Sequence, residues 1–207
     1  DVTDESSLLE MAGIPVQLVV GEESNFKITT PEDLELAEKI MKKQAATMRI
    51  GHGFDAHRFE QDRKLILGGV EIPYQRGLAG HSDADVLTHA LCDAILGALG
   101  KGDIGRHFPD NDDSYKNILS LLLLDEVIAK AAAENYVLVN ADITVICQRP
   151  KLAPHIEAMK KTLAHHCRST IEAINIKATT TENMGYTGRE EGVSCHAVVL
   201  LDGYPQP

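Results

Sequence analysis

With 207 residues, 43% apolar and 25% charged content, the sequence has the make-up of a soluble globular chain, long enough for one full domain and part of another. Its formal net charge of -11 argues against non-specific nucleic-acid binding, which needs basic surface to displace phosphate counterions, and any anionic substrate would require cations placed locally. Aromatics make up only 4% and Trp is absent, so an aliphatic core is expected. Cys92, Cys147, Cys167 and Cys195 are widely spaced in or beside apolar segments, a pattern of buried reduced thiols. The longest apolar run, residues 118–124 with Ser120 inside it, is far too short to span a bilayer, and the N-terminus lacks a signal-peptide pattern. A cytoplasmic location, away from membranes, is the expectation.

In chain order, residues 16–20 read as a short strand closed by Gly21. A helix then runs to about Lys43, with Thr30 as N-cap, Pro31 at the first helical position and Glu32 and Asp33 in the first turn. One strand and one or two helices cannot bury a core of their own, so residues 1–47 read as a fragment with a linker at residues 42–47. A second unit opens at Met48 and runs to about Asp202. Met48, Ile50 and Phe54 alternate with small or polar residues, predicting a strand that carries Asp55 and His57 to its end. Residues 65–67 and 70–72, joined by Gly68-Gly69, predict a hairpin. Ser82-Asp83-Ala84-Asp85 reads as a capping box with Ser82 as cap, opening a helix to about Leu99. A helix over 118–134, a strand over 137–147, a helix after Pro154 and strands over 174–180 and 192–201 complete the unit. This order predicts a mixed β-sheet with helices packed on one face, of α+β or α/β class.

Asp55 and His57 stand at i and i+2 on an extended segment, so their side chains leave the same face. Asp85, His89 and Asp93 form a polar stripe on an otherwise apolar helix. Two imidazoles and one carboxylate are the ligand set of a zinc site that keeps one position open for substrate. Spacing alone leaves a chance Asp-x-His pair and a satisfied core histidine equally open. The helix start after His81-Ser82 can receive a phosphate oxyanion. Lys177-Ala178-Thr179-Thr180-Thr181-Glu182 offers hydroxyls for phosphate oxygens and, in Glu182, a hard oxygen ligand for Mg2+ or Mn2+; Arg189 adds a planar fork. A Thr-rich strand is equally well explained by β-propensity.

Several blocks recur in a known order: residues 49–57; Gly80-His81-Ser82-Asp83-Ala84-Asp85 with His89; Gly102-Asp103-Ile104-Gly105 with Phe108-Pro109-Asp110; Pro150-Lys151 with Pro154-His155-Ile156; residues 177–182; and Gly185-Tyr186-Thr187-Gly188-Arg189. As a set covering nearly all of residues 48–201, they resemble the 2-C-methyl-D-erythritol 2,4-cyclodiphosphate synthase family of the non-mevalonate isoprenoid pathway. Thr3-Asp4-Glu5 and residues 25–34 resemble the C-terminal end of 2-C-methyl-D-erythritol 4-phosphate cytidylyltransferase, which some bacteria fuse to the synthase. The chain therefore reads as a cut-down bifunctional fusion, with a cytidylyltransferase remnant and linker at 1–47 and a synthase domain at 48–207. The nucleotide-binding loops of the first enzyme are missing, so Lys27, which matches a methylerythritol-phosphate-binding lysine, is expected to serve no complete site. No cytidylyltransferase activity is expected of this chain.

The resemblance implies a phosphorus–oxygen lyase in a bacterial cytoplasm. It would convert 4-diphosphocytidyl-2-C-methyl-D-erythritol 2-phosphate to the 2,4-cyclodiphosphate and release CMP. It implies zinc on Asp55, His57 and His89, and Mg2+ or Mn2+ on Glu182 and the substrate phosphates. His81 and Thr180 would stabilise the transition state. Cys147, Gln148, Arg149, Pro150, Lys151, Leu152, Ala153, Thr179 and Thr180 would form the cytidine and diphosphate pocket, with Thr181 and Glu182 beside it. Asp103, Ile104, Gly105, Phe108, Pro109, Asp110, Asn111 and Asp112 would hold the methylerythritol part. Asp55, Ala56, His57, His81 and Ser82 would contact substrate at the metal. The family is a homotrimer with sites between subunits and a central apolar channel, where Tyr186 and Arg189 match positions that contact isoprenoid diphosphates. In one stretch the chain departs from the family: where an acidic, Ser- and Arg-containing helix start is usual, it has Asn117-Ile118-Leu119-Ser120-Leu121-Leu122-Leu123. Two other readings compete, a zinc-dependent phosphohydrolase that activates water at the open position and a non-catalytic trimer that binds isoprenoid diphosphates. Against the first, the sequence has no His-Glu-x-x-His and no evident general base near the ligands; against the second stands the complete set of metal ligands, which a scaffold need not keep.

Overall fold

The computed structural model describes residues 5–17, 19–21, 26–44, 48–109 and 118–203. They fall into two compact units, Asp1–Lys43 and Gln44–Pro207. In the first, α1 (Glu5–Met11) and α2 (Pro31–Gln44) are the only regular elements among the described residues. The predicted start of α2 is built as expected. Thr30 Oγ1 accepts from the Asp33 amide at 3.1 Å, and Asp33 Oδ2 accepts in return from the Thr29 and Thr30 amides at 2.9 Å. The strand predicted over 16–20 does not form: Val16, Gln17, Val19 and Val20 are irregular, with Val19 and Val20 fully exposed, while Leu18 lies outside the described residues. A strand needs a partner to accept its ladder, and this unit supplies none among its described residues. The predicted linker is shorter than expected because α2 runs on to Gln44; residues 45–47 are outside the described set.

The second unit is the predicted mixed sheet. Strands β1 (Arg49–Glu60), β4 (Gly77–Leu78), β5 (Tyr136–Ile146), β6 (Ile174–Thr179) and β7 (Gly192–Gly203) assemble in the order β4-β1-β7-β5-β6. Only the β5–β6 pair is parallel. A separate hairpin, β2 (Leu65–Leu67) and β3 (Val70–Ile72), turns through Gly68 and Gly69 at φ 55° and 71°, a turn that glycine adopts without steric cost. Helices α3 (Val86–Leu99), α5 (Ser120–Ala133) and α6 (Ile156–His166) cover one face of the sheet, while α4 (Ile104–His107) and α7 (Gly185–Gly188) are single turns that the sequence did not announce. Among the described residues no helix is long and apolar enough to cross a membrane.

The core forms where α3 lies across β1 and β7. Along β1 the inward positions are Gly51, Gly53, Asp55 and His57, alternating with outward Ile50, His52, Phe54 and Ala56. Gly51 and Gly53 face Ala94 and Ala90 of α3 so closely that a β-carbon would stand 1.8 Å from the Ala94 carbonyl oxygen or 2.0 Å from that of Ala90. Backbone therefore meets backbone. The outer face of the same strands is bare in one chain, with Ile50, Phe54 and Val198 exposed at 74%, 47% and 43%.

The start of α3 corrects one expectation. Ala84 has φ 58°, which no helix tolerates, so the helix opens after it and Asp85, not Ser82, is the N-cap. The fully buried Asp85 carboxylate accepts from the Thr88 amide at 3.1 Å and hydroxyl at 2.7 Å, and from the Gly68 and Gly69 amides at 2.9 and 2.7 Å. Burial raises its pKa, against the pull of those donors. All four cysteines are buried free thiols, and burial pushes Cys147 and Cys167 up to about 12.

Two outcomes follow from this packing. Gly53→Ala should lower the urea midpoint by the equivalent of about 1–3 kcal/mol, since the added methyl has only helix backbone to displace. The native protein should release no thiol to Ellman's reagent at pH 8, and all four once unfolded.

Candidate active site

Three ligand atoms converge beneath the second half of β1, which runs on to Glu60 and so places Asp55 and His57 within the strand and not at its end as expected. His57 Nε2 lies 2.9 Å from Asp55 Oδ2, His89 Nδ1 lies 3.0 Å from the same oxygen, and the two imidazole nitrogens are 3.1 Å apart. Among the described residues this is the only group of three such side chains placed to hold a metal ion. Atoms bound tetrahedrally at the usual zinc distances stand about 3.3 Å apart, so the triangle needs only a slight opening to accept the ion. Strand pleat puts Asp55 and His57 on one face, and the close approach of α3 to Gly53 brings His89 to them. Burial alone would push the Asp55 carboxyl up, but hydrogen bonds and charge from His57 and His89 outweigh it and hold the group well below the usual carboxylate range. Burial opposes charge on His89, while its bond to Asp55 raises its pKa. The group is thus an anion between two imidazoles, ready for a cation in place of protons.

A cavity of about 240 Å³ opens over the triangle and is also lined by His81, Ser82, Asp93, Ile104, Gly105 and Phe108. His81, one of the lining residues, has its Nε2 buried with no hydrogen-bond partner among the described residues. Asp93, the last member of the predicted stripe, accepts from the Ile104 amide at 2.7 Å and so holds the Asp103–Gly105 segment at the cavity wall. Asp103 itself caps α4, accepting from the Arg106 amide at 2.9 Å. Pro109 is exposed beyond Phe108; Asp110, Asn111 and Asp112 lie outside the described residues. Ala56 points to the other face of β1 and does not line this cavity.

A second cavity, of about 360 Å³, is lined by Cys147, Gln148, Arg149, Pro150, Lys151, Leu152 and Ala153 together with Ala178, Thr179 and Thr180. Here too one buried polar atom, Gln148 Oε1, has no partner among the described residues. Glu182 does not join the metal triangle: it sits at φ 50° after β6 and accepts from the Thr180 hydroxyl at 2.7 Å. Thr181 and Tyr186 line a third, apolar hollow with Phe54, Ile146, Met184 and His196. Arg189 is paired with Glu191 at 2.6 Å.

Within one chain these sets stay apart. The first two cavities share no residue, and β1 and β6 are separated by two strands, three inter-strand spacings or about 14 Å. Sequence reasoning missed what stands behind His89. Its Nε2 meets Ser120 Oγ at 2.9 Å and Ser82 Oγ at 3.1 Å, and Ser120 is bonded through both its hydroxyl and its amide to Asp83. A lone hydroxyl interrupting the apolar run of residues 118–124 was the available signal.

Residues 48–202 match the YgbB family, and residues 1–43 match 2-C-methyl-D-erythritol 4-phosphate cytidylyltransferase. The bifunctional enzyme IspD/IspF of Desulfotalea psychrophila is 63% identical over 204 residues, 97% of this chain and 53% of that protein. The 2-C-methyl-D-erythritol 2,4-cyclodiphosphate synthase of Pelobacter propionicus is 60% identical over 156 residues, 75% of this chain and 99% of that protein. The solved structure of bifunctional IspDF from Campylobacter jejuni superposes with a TM-score of 0.75 at 39% identity, covering 99% of this chain and 55% of that one. A CDP complex of IspF from Plasmodium falciparum gives 0.67 at 33% identity, covering 75% and 96%. The chain spans about half the length of the bifunctional relatives it matches. On the strength of the match over residues 48–202 and of relatives that align across that whole stretch, the chain belongs to the YgbB family, preceded by a short segment of cytidylyltransferase sequence.

Proposed function

We propose that this chain converts 4-diphosphocytidyl-2-C-methyl-D-erythritol 2-phosphate to 2-C-methyl-D-erythritol 2,4-cyclodiphosphate and CMP. The observation that carries the reading is the Asp55–His57–His89 triangle opening into a cavity that is also lined by His81, whose buried Nε2 has no partner among the described residues. A 2-phosphate oxygen forms a bond to the distal phosphorus of the diphosphate bridge as the bond from that phosphorus to the bridging oxygen breaks, and CMP leaves with the electron pair. No protein nucleophile is needed; the buried thiol of Cys147, its pKa near 12, is unsuited to be one. The chain's task is positioning and charge stabilisation. Asp55, His57 and His89 would hold zinc, and Glu182 a second divalent cation, Mg2+ or Mn2+. Bound there, the cations supply the positive charge that lets two phosphates approach and that polarises the transferring group. His81 Nε2 would donate to a phosphate oxygen, and the Thr180 hydroxyl would turn from Glu182 toward the diphosphate. Cys147–Ala153 with Thr179 would seat the cytidine, and the segment at 103–112 the methylerythritol. Residues 1–47 are read as the cytidylyltransferase remnant with its linker, and residues 48–207 as the synthase domain.

The 14 Å between the two halves of this machinery supports an active site shared between copies in a homotrimer. The exposed Ile50, Phe54 and Val198 supply an apolar face for that assembly. The hollow beside Tyr186 would face the channel and, with Arg189 at the C-cap of α7 as the cation, suit an isoprenoid diphosphate. A cytoplasmic location fits this chemistry.

Incubation with the cytidyl substrate, zinc and Mg2+ should yield CMP and the cyclic product in equal amounts. CMP with a linear product would favour a hydrolase, and no turnover would favour a binding protein. His89→Ala should lose bound zinc and more than about 100-fold in turnover while the assembly keeps its mass. Mixing inactive His89→Ala and Thr180→Val subunits should restore on the order of one quarter of the sites by random pairing if sites are shared in a closed ring, and none if each chain works alone.

A further inference from the structure

We infer that Ser120, held by Asp83, is a positioning residue that fixes how His89 presents itself to the metal; the inference rests on the metal reading above. The donor and acceptor inventory leaves one arrangement. The Asp83 carboxylate can only accept, so the Ser120 hydroxyl donates its proton to Oδ1 while the Ser120 amide donates to Oδ2 at 3.2 Å. With its proton committed, Ser120 Oγ faces His89 Nε2 at 2.9 Å as an acceptor, so Nε2 carries a proton that it keeps whatever binds at the other ring nitrogen. Nδ1 is the other ring nitrogen: it donates to Asp55 Oδ2 at 3.0 Å and stands 3.1 Å from His57 Nε2, and a cation that replaced its proton would meet its lone pair. Ser82 Oγ, which accepts from the Ala84 amide at 3.1 Å, stands 3.1 Å from the same Nε2 and secures the ring from a second side.

The relay is built into the fold. Ser120 is fully buried at the first position of α5, where its side chain caps nothing and the N-cap is Leu119 without a side-chain bond. Its hydroxyl therefore serves His89 and Asp83 rather than its own helix. Asp83 is in turn fixed by its amide, which donates to the Ile118 carbonyl at 3.1 Å. Arg63 braces the segment by donating to the Gly80 and Ser82 carbonyls at 2.7 and 2.6 Å. A ligating histidine held through its second nitrogen binds metal more tightly and in one orientation.

The test is zinc affinity, measured by chelator competition on the full chain. Ser120→Ala should weaken zinc binding about 10–100-fold, Ser120→Thr should restore most of it, and Asp83→Asn should give a smaller loss in the same direction. Val127→Ala, also fully buried on α5 but away from the site, should lower the urea midpoint and leave zinc affinity unchanged. In the zinc-loaded wild type, imidazole nitrogen NMR should show His89 bound through Nδ1 with its proton on Nε2. Unchanged affinity in Ser120→Ala, equal weakening in Val127→Ala, or zinc on Nε2 would each overturn the inference. A wild type that binds no zinc would instead overturn the metal reading beneath it.

Discussion

The contact between β1 and α3 governs the rest of the molecule. Two inward positions of the strand carry no side chain, and the helix turns that face them carry only Ala90 and Ala94, so main chain rests on main chain. The next two inward positions are Asp55 and His57, and the residue before Ala90 is His89. The same row of side-chain-free positions that admits the helix thus sets the height at which its histidine meets the strand's ligands. Ligand spacing tolerates only tenths of an ångström, and protein interiors do not compress to recover a misplaced helix. The metal triangle is in this sense a reading of one packing distance.

Asp85 does comparable work one turn before His89, at the N-cap of the helix. A carboxylate buried with no cation beside it would be costly, yet four donors converge on it, two from Thr88 and two from the hairpin turn. One charge therefore joins the start of α3 to a hairpin that lies outside the main sheet. This explains how a helix whose first turn is bent off by Ala84 still starts in a defined place, and why the loop bearing His81, Ser82 and Asp83 has a fixed span to cross.

Much of this was legible in the chain, for reasons that differ by element. Strands such as β1 and β5 alternate because each is half buried, while α3, buried on nearly every side, shows instead as an apolar run broken by the polar positions of His89 and Asp93. Asp55 and His57 were readable as a pair because a strand's period of two is exact enough to share a face. The strand expected at residues 16–20 failed because pattern reports a tendency to pair and says nothing of whether a partner is near. Ser82 looked like a cap because its spacing to Asp85 fits the motif, but the left-handed Ala84 between them is set by tertiary contacts that no local pattern contains. Ser120 and Asp83 were invisible as a unit, since a hydroxyl and a carboxylate 37 residues apart acquire meaning only when α5 meets the loop before α3.

Two of the four buried side-chain polar atoms without partners among the described residues, His81 Nε2 and Gln148 Oε1, belong to residues that line the two cavities, and they carry a consequence for how this chain can change. Each costs the folded protein about 1–3 kcal/mol relative to a satisfied or apolar atom. A selection for heat tolerance alone would therefore reward replacing either residue with an apolar one of similar volume. Such selection would harden the fold by silencing its cavities, and thermal ranking of variants would run against the order of their usefulness.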